Sequence, residues 1–274
     1  MQVINEFIAS ELEYFKPMIN NQSLVTNEML KAFRDETLAQ RKERISLQTY
    51  DLCDGVVRYG LFEGLKLNRE TWWGKSDLGS QCLGFYEKEI LNLIARRGPY
   101  EIFLDIGAAD GYYAVGMLQS RMAKKVICFE TSKEGQLAIQ KNWITNNSVG
   151  ELNVHGEANQ LSIEKAAKDI HKKKSLVLVD IEGFEFSLLS KDVISLLKEC
   201  ELVIEIHNWV EDFEHKYIKL LSDLDFHFKI TPLKRINKDI DIPLLRSFTD
   251  DNRLLVTSEH RPCLMRFLHL VPRS

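Results

Sequence analysis

The stretch FLDIGAADGYY (103–113) decides the fold. An apolar run ends in Asp105, three small residues follow (Gly107, Ala108, Ala109), and Asp110-Gly111 open a stretch of helical spacing. A strand that runs through a Gly/Ala turn into a helix is the opening unit of a parallel sheet. Ligands of such sheets bind beyond the carboxyl ends of the strands, near the point where strand order reverses. Small residues let a ligand approach the backbone, and the helix N-terminus supplies free N–H groups and positive potential. The spacing is D-x-G-x-x-x-G, not the G-x-G-x-x-G that seats a pyrophosphate. Asp110 also stands where a phosphate would be repelled.

Outward from this turn, short apolar runs alternate with amphipathic stretches. The expected strands are 101–106, 125–130, 151–156, 175–180, 201–206, 226–231 and 253–258, with helices over 111–121, 133–146, 163–172, 184–198 and 212–224. Parallel strands cannot be joined by tight turns, so this alternation predicts an α/β fold: a Rossmann-like seven-stranded, mostly parallel sheet flanked by helices. The last two runs lack a clear helix between them, so the seventh strand is allowed to enter antiparallel. Before residue 100 the chain reads differently. Helical spacing over 3–15, 27–47 and 83–95 brackets a Gly-rich segment, 54–80, that contains Trp72-Trp73. The expected division is a helical N-terminal extension (1–99) for substrate or assembly, followed by the sheet domain (100–269). LVPRS (270–274) resembles a vector-derived protease-site remnant and reads equally well as native sequence.

The candidate site follows the strand ends. A ligand with a cationic centre and no phosphate suits the 105–111 turn, and S-adenosylmethionine (SAM) is such a ligand. Glu130 closes the second strand about 20 residues beyond the turn, where an acid accepts hydrogen bonds from ribose hydroxyls. Glu157, Ala158 and Asn159 close the third and offer polar groups to an adenine edge. SLVLVDIEGFEFSLL (175–189) places Asp180, Glu182 and Glu185 within six positions, a crowding of like charge that needs a cation or hydrogen bonds. The fifth strand ends in Glu205, His207 and Asn208. His207 is the leading general-base candidate, since an imidazole is partly neutral at pH 7. Asp180, Glu182, Glu205, His207 and Asn208 also offer oxygen and imidazole donors to a divalent metal, a weaker reading than the base. Trp72, Trp73 and Trp209 are read first as packing and second as an apolar or sugar-stacking wall.

Composition bounds the classes. The chain has 274 residues, 45% hydrophobic and 28% charged, with a formal net charge of −4. This is ordinary globular composition and supplies no general basic field for nucleic acid. No apolar run reaches the length of a membrane span, and the first residues lack a signal pattern, so a cytoplasmic protein is expected. Five scattered cysteines without a C-x-x-C pair fit reduced thiols.

Several segments together resemble the class I SAM-dependent methyltransferases and, within them, the FkbM-type group: FLDIGAADGYYAV (103–115), VICFETS (126–132), QKNWITNN (140–147) with Asn142 and Asn146, and DIEGFEFSLL (180–189). LGFYEKEI (83–90) is similar to a pre-core helix in some relatives. The resemblance implies that Asp105, Gly107, Ala108 and Gly111 line the methionine part of SAM, with Glu130 at the ribose, Glu157 and Ala158 near adenine, and Ala109, Thr131 and Asp180 also among the cofactor-binding residues. Asp180 and Glu182 would border methyl transfer, with His207 or Asp180 as base. Asparagine is usual in the family where Ala109 stands. The implied activity is O-methylation of a sugar or other small-molecule acceptor. The alternatives are a protein or RNA methyltransferase, for which the NPPY-type tetrapeptide is absent, a nicotinamide oxidoreductase, and a non-catalytic binding module. Self-association through the N-terminal helix stays open.

Overall fold

The computed structural model describes residues 6, 8–10, 13, 36–170, 173–259, 261, 263 and 265–273. The helix expected over 3–15 therefore falls mostly outside the described residues, as does the start of the one over 27–47. The described part of the latter is α1 (Leu38–Leu52), entered through a capping box. The Thr37 hydroxyl accepts from Gln40 N at 3.3 Å, and Gln40 Oε1 accepts from Thr37 N at 3.0 Å. Two more helices precede the sheet, α2 (Leu78–Cys82) and α3 (Lys88–Arg97). The third starts five residues later than its apolar spacing suggested, because Glu87 takes a left-handed φ of 45° and breaks the run.

The sheet follows the expected alternation: β1 (Tyr100–Ile106), α4 (Tyr112–Gln119), β2 (Ala123–Phe129), α5 (Lys133–Thr145), β3 (Glu151–His155), α6 (Gln160–Ile170) and β4 (Ser175–Val179). It continues with α7 (Glu185–Leu188), α8 (Lys191–Leu197), β5 (Glu201–Ile206), α9 (Phe213–Asp225), β6 (Phe228–Pro232), α10 (Asp250–Val256) and β7 (Arg266–Pro272). The single helix expected over 184–198 is two, since the Ser190 hydroxyl accepts from Val193 N at 3.3 Å and starts a new helix.

The strand expected over 253–258 is wrong. Thr249 caps a helix there, accepting from Asn252 N at 3.4 Å, and Asp250 and Asp251 sit favourably in its first turn. The seventh strand is RFLHLVP (266–272). It runs antiparallel between β5 and β6, giving the order β3-β2-β1-β4-β5-β7-β6. The boundary expected at 269 therefore falls inside a strand, and Leu270 is fully buried.

Each face of the sheet carries its own core. On one, α3, α4 and α5 pack with Phe62 and Leu65 against Phe103, Val126, Leu176 and Val203. On the other, α6, α8 and α9 cover Ile102, Leu104, Val177, Val179 and Ile204. Each such fully buried aliphatic side chain is worth about 1.5–3 kcal/mol of transfer free energy. A third cluster joins α1 and α2 to Leu245, Phe248 and Val256, so the N-terminal helices share one small core with the segment between β6 and β7. Strand order reverses between β1 and β4, which directs attention to the cleft above their carboxyl ends. Among the described residues no helix is long and apolar enough to cross a membrane.

Candidate functional site

A cleft of about 960 Å³ opens at this switch point. Asp105, Gly107, Ala108, Ala109, Glu130, Thr131, Glu157, Ala158, Asp180, Glu182 and Glu205 all line it. Gly111 does not. It caps α4 at φ 80° and lies so close to Ile139 that an added Cβ would stand 3.1 Å from that side chain.

The turn after β1 owes its shape to Gly107. Its φ is 96°, and a Cβ there would stand 1.7 Å from the Asp180 carbonyl oxygen, so only glycine lets β1 and β4 end side by side. Ala109 is also left-handed, φ 48°, and donates its N–H to Glu130 Oε2 at 2.9 Å. The other Glu130 oxygen accepts from Ser132 N at 2.8 Å. Glu130 thus clasps the two turns together. Each of its oxygens keeps a lone pair for a ligand. Asp105 is buried beneath the turn, and its Oδ2 has no hydrogen-bond partner. Burial, then the charges of Asp180 and Glu130, push its carboxyl up to about 8.

Asn142 of α5 and Asn146, which caps that helix, serve this scaffold. Asn142 Nδ2 donates to the Asp110 carbonyl at 2.8 Å, and buried Asn146 brackets the backbone of Lys66 with two bonds of 2.9 Å. The Asp110 carboxylate faces an unexpected partner. It accepts from the backbone N–H groups of Trp72 at 2.7 Å and Trp73 at 3.0 Å. The turn and the Trp72-Trp73 loop are thereby joined, and Trp72, Trp73, Phe184 and Trp209 stand as exposed aromatic lining of the cleft. Trp72 and Trp73 also pack on each other, with ring centroids 5.5 Å apart, and Trp209 packs on His207 at 4.8 Å.

At the other edge, β4 and β5 bring their terminal groups together. His207 is fully buried. Its backbone N–H and its ring Nδ1 both meet Glu185 Oε1, at 2.9 and 3.2 Å, while Glu185 Oε2 accepts from Gly183 N at 2.9 Å. Glu185, fully buried, thus orients the imidazole rather than merely favouring a helix start. The opposite nitrogen, Nε2, lies 3.5 Å from Asp180 Oδ1, 3.6 Å from Glu205 Oε2 and 3.7 Å from Glu182 Oε2. Burial pushes the His207 pKa down, but the Glu185 hydrogen bond and the charges of Glu185, Asp180 and Glu182 leave it raised. Burial raises Asp180 and Glu182 despite the nearby His207. Asn208 Oδ1 accepts from Cys263 Sγ at 2.9 Å.

Two residues invisible to motif reading complete the edge. Arg261 pairs with Glu205, with Glu259 at 3.0 Å and with Glu87 at 3.3 Å, and lies 4.9 Å over the Phe267 ring. Glu87, nearly fully buried, accepts from Tyr113 Oη at 2.8 Å. Burial and the Asp180 charge push its carboxyl up to about 8 against Arg261 and Tyr113. These groups come from segments far apart in sequence, and no spacing connects them.

No known family and no curated protein matches the chain. Among solved structures it is similar to an O-methyltransferase from Bacillus cereus in complex with SAH (13% identity, 69% of this chain and 81% of that one, TM-score 0.46). It is also similar to a ribosomal protein L11 methylase from Lactobacillus delbrueckii subsp. bulgaricus (14%, 77% and 86%, TM-score 0.43). An rRNA methylase from Streptococcus thermophilus is comparable (10%, 67% and 93%, TM-score 0.44).

Proposed function

We propose that the protein is a SAM-dependent methyltransferase whose acceptor is a hydroxyl on a sugar or other small molecule. The observation that carries this reading is the unpartnered, buried Asp105 oxygen lining a cleft at the switch point. That oxygen lacks a donor, which a ligand ammonium would supply while drawing the carboxyl down from about 8 to its ionised form; the cleft around it is acidic, with Asp77, Glu87, Asp105, Asp110, Glu130, Glu157, Asp180, Glu182, Glu205 and Glu259, and Arg261 is the basic residue among its described lining. A pyrophosphate ligand would be repelled by that lining.

The residues fit SAM in parts. Asp105 is suited to its cationic amino acid end, the Gly107–Ala109 turn to close passage along the backbone, Glu130 and Thr131 to the ribose, and Glu157 and Ala158 to the adenine. When bound, SAM supplies an electrophilic methyl group, which passes to the acceptor oxygen as the carbon–sulfur bond breaks and leaves the neutral thioether. The chain's own work is then positioning and proton removal. Alignment of nucleophile and methyl is worth up to ~7–11 kcal/mol in favourable cases. Asp180 and Glu182 hold the acceptor hydroxyl at the cleft edge, and its proton passes to Asp180 or His207. A positioned base contributes roughly 10²–10⁴-fold. The aromatic rim of Trp72, Trp73, Phe184 and Trp209 offers stacking faces to a sugar ring.

The test is methyl transfer from labelled SAM to a panel of sugars, glycans and small alcohols. Transfer to a hydroxyl acceptor is expected, and His207→Ala should lower turnover far more than SAM affinity. Transfer only to RNA or protein would overturn the acceptor assignment.

A further inference from the structure

We infer that Asp180, Glu205 and His207 form a binding site for one divalent first-row metal ion, of the Mn²⁺ type, with Glu182 beside it. The role of that ion in methyl transfer rests on the function proposed above; its binding does not.

The first observation is geometric. One donor atom from each of the three residues lies within 4.8 Å of the others. Bonds of ~2.1 Å to an ion place its ligand atoms about 3–4.3 Å apart in tetrahedral or octahedral arrangements. The separations of 3.5 Å (Nε2 to Asp180) and 3.6 Å (Nε2 to Glu205) fall in this interval, and both exceed a good hydrogen bond.

The second observation is independent of acidity. His207 is fully buried, yet its Nε2 has no hydrogen-bond partner, and neither has Asp180 Oδ1. Two orphaned buried atoms that face each other would ordinarily cost free energy twice. An ion between them satisfies both. The imidazole is also held as a metal-bound histidine is held: its far nitrogen meets a buried carboxylate, Glu185, which fixes the tautomer that leaves Nε2 free to coordinate.

The division of labour at Glu205 is consistent with this. Its Oε1 is taken by Arg261, while Oε2 faces His207. The Glu182 carboxylate, 3.7 Å from Nε2, is presented by a residue with a left-handed φ of 55°. Two or three carboxylate oxygens with one imidazole form a hard-to-borderline donor set that suits Mn²⁺ or Mg²⁺ more than copper, and the lack of thiolate disfavours a structural zinc site. The site borders the cleft through Asp180, Glu182 and Glu205, so an ion held there would lie within reach of an acceptor oxygen in the cleft. An ion there would acidify that hydroxyl; with Asp180 and His207 Nε2 taken by the ion, the proton would pass to Glu182 at the cleft edge, which takes over the base role that Asp180 or His207 fills in the ion-free site.

The experiment uses the full chain, stripped of metal by chelation and desalting, titrated with Mn²⁺ and followed by electron paramagnetic resonance of the free ion. One Mn²⁺ per chain is expected, with nitrogen modulation from the imidazole in the pulsed spectrum. Asp180→Asn and His207→Ala should each weaken binding at least tenfold, and His207→Ala should abolish the nitrogen signal. Glu185→Gln, which touches no ion, should weaken binding by 10–100-fold, as loss of an orienting partner does. Asp169→Asn, on the far surface, should bind as the parent chain does. Circular dichroism confirms that each variant is folded, and Asp180→Asn, nearly isosteric, carries the test if His207→Ala does not fold. Mn²⁺ binding that is absent, or unchanged in folded Asp180→Asn, overturns the site. SAM calorimetry on the same metal-free chain separates the two claims: a SAM signal with no Mn²⁺ binding removes only the ion, and Mn²⁺ binding without SAM removes only the methyltransferase reading.

Discussion

Asp110→Ala cuts the tie between the strand-β1 turn and the Trp72-Trp73 loop. The parent carboxylate accepts two backbone hydrogen bonds, 2.7 and 3.0 Å long. A hydrogen bond to a charged group is worth ~1.5–3 kcal/mol when buried. Here solvent competes, since Trp72 and Trp73 are 38% and 52% exposed. A discounted value of about 1 kcal/mol per bond gives roughly 2 kcal/mol, or ~30-fold in the closed population of the loop. The loop's flanks stay anchored, through Ser46 Oγ to the Lys75 carbonyl at 2.6 Å and Tyr50 Oη to the Leu67 carbonyl at 2.8 Å, so global stability should change little. Tryptophan emission should shift to the red, and SAM affinity by calorimetry should fall by up to ~30-fold. Asp110→Asn keeps one acceptor and should lie between. Unchanged emission together with unchanged affinity would refute the idea that this carboxylate holds a wall of the cleft.

Two further outcomes follow from the same geometry. Gly107→Ala puts a Cβ 1.7 Å from the Asp180 carbonyl at a φ of 96°, so the chain must move and the Asp180 N–H bond to the Ile106 carbonyl suffers; a loss of ~3–5 kcal/mol in denaturant unfolding is expected, and near-parent stability would contradict the crowding. Glu87 titrates near 8 in the folded chain but near ~4.3 when unfolded. Between those values the folded state binds more protons than the unfolded one, so stability should fall as pH rises. Glu87→Gln removes that contribution, and its melting temperature should decline less steeply between pH 5 and 8; equal slopes would show that Glu87 is not a buried acid.

How far the sequence could be read is visible residue by residue. β1, β2, β4 and β5 stand out because fully buried parallel strands are continuous apolar runs, and the turn after β1 carries its glycine where a positive φ is needed. The final strand was missed because LLVTS, within 253–258, has strand-like residues, whereas the Thr-Asp-Asp cap before it dictates a helix. Asp180, Glu182, Glu205 and His207 were found because they end consecutive strands of the sheet. Glu87 and Arg261 were not, because a three-way pairing between residues 87, 205 and 261 depends on tertiary approach that no local period encodes. Asn142 and Asn146 were singled out for their pattern, and their role proves to be fastening backbone rather than touching the carboxylate edge. Asp110 was weighed only as a repulsive charge, since nothing near 110 announces a loop some forty positions earlier.

Calorimetric titration of SAM into the folded full chain, with NAD in a parallel cell, measures the central claim directly. Saturable heat from one SAM per chain, weakened in Glu130→Ala and absent for NAD, is the expected result. A flat SAM trace from folded protein, or equal heat from NAD, would contradict the account.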